Sequence, residues 1–215
     1  MYYLLLDFDG VLFHHERFVS DLHDLLVHHG FSQEVLEHIY AKQTPRTVTG
    51  LSKTYFLLQS LEDFATAQGC DVGAMRGAVA RHFASADQYL YVDAVELLSV
   101  VDPHRTFIIT YGCPKWQEMK VSASGVPSRY GIHAYYTETL KSNIVASLVQ
   151  GRMIDPELTC FADDTLANSE DVEKHFPDIT NFWINRQGEV RYASEKTSCG
   201  YEAQDLRRVR DYIGL

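Results

Sequence analysis

The chain opens with Tyr2-Tyr3-Leu4-Leu5-Leu6 and passes at once into Asp7-Phe8-Asp9-Gly10-Val11-Leu12. No other stretch constrains the fold as much. The apolar run is too short to cross a bilayer. Its lack of polar alternation fits a strand over residues 2–8, buried on both faces of a parallel sheet. In such sheets ligands collect at the carboxyl ends of the strands. Asp7 and Asp9 stand at such an end, and Gly10 marks the turn. Paired carboxylates there can hold a hard cation and keep an oxygen free to attack an electrophile. On their own they could equally be ordinary turn formers, so the rest of the chain decides.

Further along, two textures alternate. Residues 14–90 read as helical. Glu16–His29 places Phe18, Val19, Leu22, Leu25 and Leu26 on one face and stops at Gly30. Ser32 is a suitable N-cap for a helix to about Ala41, and helices at about 51–67 and 72–85 follow. From Asp93 onward, strands alternate with helices. The expected strands are 105–110, 133–137, 158–162 and 179–185. The expected helices are 93–100, one from Pro114, 141–150, 166–175 and 202–213, with a turn at Gln187-Gly188. The expected architecture is α/β, a doubly wound Rossmann-like parallel sheet. Residues 1–13 and 93–215 would form the core. Residues 14–92 would be an all-helical cap inserted after the first strand, well placed to act as a lid.

Composition sets limits on partners. A formal net charge of -10 argues against nucleic acid. It leaves room for a small anionic substrate, because a few local cations and a metal outweigh a distant field. No stretch resembles a signal peptide or a membrane span. Cys70, Cys113, Cys160 and Cys199 are widely spread, which suits reduced thiols in a cytoplasmic protein.

Four chemically pointed positions follow these strands or a loop: Asp7 with Asp9, Thr110, Lys141, and Asp163 with Asp164. Each has a plain reading alone. Thr110 could cap a helix, Lys141 could be a solvated helix-start lysine, and the acid pair could sit on a helix dipole. In a doubly wound sheet all four gather on one edge, and their order and placement favour a shared site.

Asp7-Phe8-Asp9-Gly10-Val11-Leu12, Phe107-Ile108-Ile109-Thr110-Tyr111-Gly112, Lys141, and Phe161-Ala162-Asp163-Asp164-Thr165-Leu166-Ala167-Asn168 resemble the four motifs of the haloacid dehalogenase superfamily. The resemblance is to its phosphatase branch, with a helical cap of the first insertion type. Gln117 and Lys120 also sit where relatives often carry them. The resemblance runs through the core and reaches the cap only by length and helical character.

It implies that Asp7 attacks phosphorus to form an aspartyl-phosphate. Asp9 would protonate the leaving oxygen, then take a proton from water, while its main-chain carbonyl ligates Mg2+. Asp164 would supply a metal carboxylate, with Asp163 and Asn168 completing or orienting the shell, and Asp7 shared with the ion. Thr110 and Lys141 would hold the phosphoryl oxygens, beside Gly10 and Tyr111. Phosphoryl transfer asks a protein mainly for positioning and charge stabilisation, which this inventory offers. To act as an acid near neutral pH, Asp9 should have a pKa raised by neighbouring carboxylates. Its presence favours phosphate esters over carbon–halogen bonds, since halide leaves without a proton.

The chain departs from the pattern at Phe13-His14-His15-Glu16, where relatives often carry Asp and then Ser or Thr. His14 or His15 could contact substrate near the cap hinge. Arg46 and Lys53 flank a Thr/Gly-rich cap loop and could grip an anion. Tyr40, Tyr55, Phe56, Phe64, Trp116 and Trp183 read as packing residues. The expected activity is Mg2+-dependent hydrolysis of a small phosphorylated metabolite. A phosphomutase and a non-catalytic phosphate- or protein-binding relative are the alternatives.

Overall fold

The computed structural model describes residues 1–34, 36, 57–69, 71–186 and 200–215. Strand β1 (Tyr3–Leu6) is followed by α1 (His15–His28), α2 (Leu57–Gln68), α3 (Val72–Ala84) and α4 (Val92–Leu98). The alternating part follows: β2 (Thr106–Tyr111), α5 (Pro114–Ala123), α6 (Val126–Tyr130), β3 (His133–Thr137), α7 (Lys141–Gln150) and β4 (Thr159–Asp163). It ends with α8 (Leu166–His175), β5 (Thr180–Ile184), β6 (Tyr201–Ala203) and α9 (Arg207–Tyr212).

The six strands of the described residues run parallel in the order β3-β2-β1-β4-β5-β6. The chain winds outward from β1 to β2 and β3, then returns to β1's other side for β4, β5 and β6. This reversal creates a crevice at the carboxyl ends of β1, β2 and β4. The register sharpens it. Leu6 pairs with both Ile108 and Ala162, so Asp7 emerges beside Asp163.

The apolar run of β1 is buried on both faces because successive side chains point to opposite sides. Leu5 packs with Phe107, Ile109, Phe161, Val145 and Val172 on one face. Leu4 and Leu6 join a larger cluster on the other face, which continues through Phe8 and Phe13 into Phe18, Leu22, Met75 and Phe83 of the helical insertion. Phe13 stacks on Phe8 at 4.8 Å and meets Phe18 at 5.2 Å. The two segments joining insertion and sheet bond to each other, His14 N–H to the Tyr89 carbonyl and Tyr91 N–H to that of Leu12.

Three expectations are corrected. β1 ends at Leu6, so Asp7 and Phe8 already belong to the turn. β4 runs one residue further than expected, which makes Asp163 its last residue and fully buried. The stretch expected as one helix over 202–213 contains strand β6 and then the short helix α9. Gly200, at φ +61°, turns the chain into β6, and the Asn181 carbonyl lies where a Cβ would stand. A three-residue edge strand is too short to carry a period-two signal. Most of the helix expected at 32–41, the turn at Gln187-Gly188, and Tyr40, Arg46, Lys53, Tyr55 and Phe56 lie outside the described residues. No helix among the described residues is long and apolar enough to cross a membrane.

Leu5→Ala opens a cavity between β2 and β4 with little room to collapse. It should lower unfolding stability by about 3 kcal/mol, read as a shift in the urea midpoint with an unchanged slope.

Candidate active site

Each strand of the crevice delivers one part of the site. Asp7 leaves β1 with its Oδ1 accepting the Phe8 N–H at 2.7 Å and lying 2.7 Å from Lys141 Nζ. That leaves Oδ2 for a cation or an electrophile. Lys141, the first residue of α7, also bonds Asp163 Oδ2 at 2.6 Å. Lysine and both acids are buried, the lysine 1% exposed.

Asp163 is fully engaged. Its Oδ1 accepts the Thr165 N–H at 2.8 Å and Asn168 Nδ2 at 3.0 Å, and its Oδ2 accepts Asn168 again at 3.2 Å besides Lys141. Asn168 therefore acts as a donor that orients Asp163. Asp164 keeps a less committed carboxylate, with Thr165 Oγ1 at 3.3 Å from its Oδ1.

Asp7, Asp163 and Asp164 each present a carboxylate oxygen within 4.8 Å of the others. One ammonium cannot neutralise three acids so close together. Burial and the flanking acids Asp163 and Asp164 raise the Asp7 pKa well above the ordinary range, against the opposing pull of Lys141. Burial, then Asp163, push Asp164 up to about 7. The uncompensated charge and the hard oxygen donors fit Mg2+, which takes one or two carboxylates plus waters and substrate oxygens. The engagement of Asp163 leaves Asp7 and Asp164 as the carboxylates that could meet such an ion directly.

Gly10 fits the same picture. It adopts φ +78°, and a Cβ there would collide with the Asp164 carboxylate. Its N–H donates to the Phe13 carbonyl at 2.9 Å and its own carbonyl accepts from Arg186. Its main-chain N–H is thus engaged by Phe13. Its role is close approach.

Thr110, fully buried on β2, accepts a bond from Gln117 Nε2 at 3.1 Å, so its own hydroxyl proton can serve an incoming oxygen. The Tyr111 carbonyl accepts from the same amide at 2.6 Å.

Asp9 is the main electrostatic correction. Its side chain turns away from the acid cluster and toward α5. Lys120 Nζ lies 2.7 Å from its Oδ1, and Gln117 Nε2 lies 2.9 Å from its Oδ2. Burial raises its pKa, but Lys120, His15 and Gln117 overcome that and hold it at about 2. Asp9 is thus an ionised partner of a buried lysine, where a raised pKa was expected. Of the residues expected to bind the ion, its side chain and that of Asn168 stand outside the acid cluster.

The two histidines separate. His15 Nδ1 lies 3.3 Å from Lys120 Nζ and 3.5 Å from Asp9 Oδ1. Burial lowers its pKa, which favours the neutral ring. His14 instead caps α1, accepting the Arg17 N–H at 3.3 Å, and stacks on Tyr91 at 5.1 Å. It belongs to the hinge and does not reach the acids.

Sequence reasoning also missed three residues. Trp183, read as packing, donates its indole N–H to the Asp164 carbonyl at 3.0 Å. Arg186 and the buried Asp93 pair at 2.9 Å beside the turn that follows β1. Arg186 follows the apolar end of β5, so the reasoning that singled out Asp7 applied to it as well.

No protein-family profile and no curated protein matches the chain. Among solved structures, a haloacid dehalogenase-like hydrolase of Burkholderia xenovorans LB400 superposes with a TM-score of 0.73 at 15% identity. The match covers 97% of this chain and 94% of that one. The fold is that of the haloacid dehalogenase-like hydrolases. An L-2-haloacid dehalogenase matches at TM-score 0.63 and 17% identity, over 100% of this chain and 99% of its own. The HAD-hydrolase YfnB of Bacillus subtilis, solved bound to magnesium, matches at 0.60 and 13% identity over the full length of both.

A raised carboxylate favours the folded state below its unfolded pKa, and that contribution fades as pH rises through the folded value. Without a cation, Asp164 should therefore erode stability between about pH 4 and the 7 it reaches here. Mg2+ binding reverses the effect. Differential scanning fluorimetry should show a larger Mg2+-induced rise in melting temperature at pH 8 than at pH 6.

Proposed function

We propose that the protein is a Mg2+-dependent phosphomonoester hydrolase acting on a small phosphorylated metabolite through an Asp7 phosphoenzyme. The observation that carries this reading is Asp9. A carboxylate paired with Lys120 beside the nucleophile is a proton relay, and a phosphate ester's alkoxide needs a proton where a departing halide does not. Several fold neighbours are haloacid dehalogenases, so this residue separates the two chemistries.

In the first half, Asp7 Oδ2 attacks phosphorus and the bond from phosphorus to the ester oxygen breaks. Lys141 and the Thr110 hydroxyl hold the phosphoryl oxygens. The leaving oxygen takes a proton that the Lys120 ammonium gives up through the ionised Asp9 carboxylate, which leaves Lys120 neutral. Burial lowers the Lys120 pKa against the pull of Asp9, so this proton is held less tightly than on a free lysine. The two groups act as one acid. In the second half, water attacks phosphorus, Asp9 accepts its proton and passes it back to Lys120, and Asp7 is released with inorganic phosphate. Bound Mg2+ would offset the repulsion between Asp7 and the phosphoryl oxygens. The helical insertion, with His15 at its entrance, would act as the cap that excludes water and limits substrate size.

Phosphate release from a panel of phosphorylated metabolites and an aryl phosphate tests the reading. Turnover should require Mg2+ and vanish in Asp7→Asn. No release from any compound with Mg2+ present would sink it. Asp9→Asn and Lys120→Met should each lower kcat/KM, which reports formation of the phosphoenzyme and not its hydrolysis, by about 10^2-fold or more on alkyl phosphates, and far less on p-nitrophenyl phosphate, whose leaving group departs unprotonated. Equal losses on both substrates would remove Lys120 from the relay. His15→Ala should alter KM across the metabolite panel, whereas His14→Ala should leave substrate preference unchanged.

A further inference from the structure

We infer that Trp183 and Arg186, at the carboxyl end of β5, are positioning residues that set the spacing of the cation site. Neither belongs to the acid cluster, yet each holds one of the two turns that build it. The Trp183 indole N–H donates to the Asp164 carbonyl at 3.0 Å. Arg186 Nε donates to the Gly10 carbonyl at 3.0 Å, and its Nη2 to that of Val11 at 2.5 Å. One turn carries Asp164. The other follows Asp7 and Asp9. Both are thus referred to a single strand end.

The spacing matters because these turns meet without slack. Gly10 has no Cβ, and the Asp164 carboxylate occupies the room a Cβ would need. Displacing either turn would change the direction in which Asp164 faces Asp7. The Trp183 bond fixes the peptide plane after Asp164. The Arg186 fork fixes two successive peptide planes after Asp9, with more donors in fixed directions than any other side chain.

Arg186 is itself rigidly held. Its Nη1 and Nη2 reach the two oxygens of Asp93 at 3.1 and 2.9 Å. Its guanidinium carbon lies 3.7 Å from the centre of the Tyr91 ring. Asp93 also accepts the Leu206 N–H at 2.8 Å, which anchors the pair to the start of α9. Groups that orient metal-binding side chains typically change metal affinity 10–100-fold when removed. The inference rests on the Mg2+ reading above.

The test is calorimetric titration of Mg2+ into the intact protein and into Trp183→Phe and Arg186→Lys, with melting temperatures taken in chelator. Trp183→Phe keeps an aromatic side chain and loses the N–H with the five-membered part of the indole. Arg186→Lys keeps the charge beside Asp93 and loses the fork. Each should bind Mg2+ about tenfold more weakly, with the Trp183→Phe melting temperature in chelator unchanged. Should Arg186→Lys fail to fold, Trp183→Phe decides alone. Mg2+ affinity within twofold of the parent in the folded variants, whatever their melting temperatures, would make these residues merely structural and overturn the inference. A parent that takes up no Mg2+ would instead overturn the cation reading, and this inference with it.

Discussion

The site depends on one buried ammonium. Lys141 is 1% exposed, at the head of α7, between Asp7 and Asp163. Burial works against its charge, but the two acids more than compensate and raise its pKa. A buried ion pair is costly to break because the surviving charge is left without a partner. Here the lysine joins strands β1 and β4 at their carboxyl ends and so fixes where Asp7 sits relative to the turn that carries Asp164. It does not balance the charge. Asp164 remains in excess, an arrangement that suits a cation.

The order of the fold was largely legible in the sequence. Short unalternating runs ending in Asp7, Thr110 and Asp163 announce buried parallel strands, and His133–Thr137 and Lys141–Gln150 fall where their periodicities place them. The four polar positions on one edge were legible for the same reason, since strand polarity alone brings them together. β6 was not, because three residues at an edge gain their identity from pairing with Phe182–Ile184. The protonation behaviour of Asp9 was not legible either. It depends on which way a side chain turns. The sequence shows Asp9 next to other acids, whereas the folded chain turns it to Lys120, 111 residues away. Trp183 and Arg186 escaped notice because their ligands are main-chain carbonyls, which leave no trace in side-chain spacing.

The helical insertion and the sheet share one continuous apolar cluster. Phe18 lies at its centre, within 5.3 Å of Phe13, Phe83 and Tyr89. Trp116 enters this cluster from the sheet side, edge-on to Phe83 at 5.2 Å. It is also the residue immediately before Gln117, one helical turn from Lys120 on the same short helix, α5. That helix therefore works as a lever. Its aromatic end is loaded by the insertion, and its polar face grips the Asp9 carboxylate. A tilt of the insertion that pushes on Trp116 would be transmitted along a rigid rod to Gln117 and Lys120, so the charge on Asp9 would follow the posture of the insertion through its aromatic core as well as through His15 at its edge.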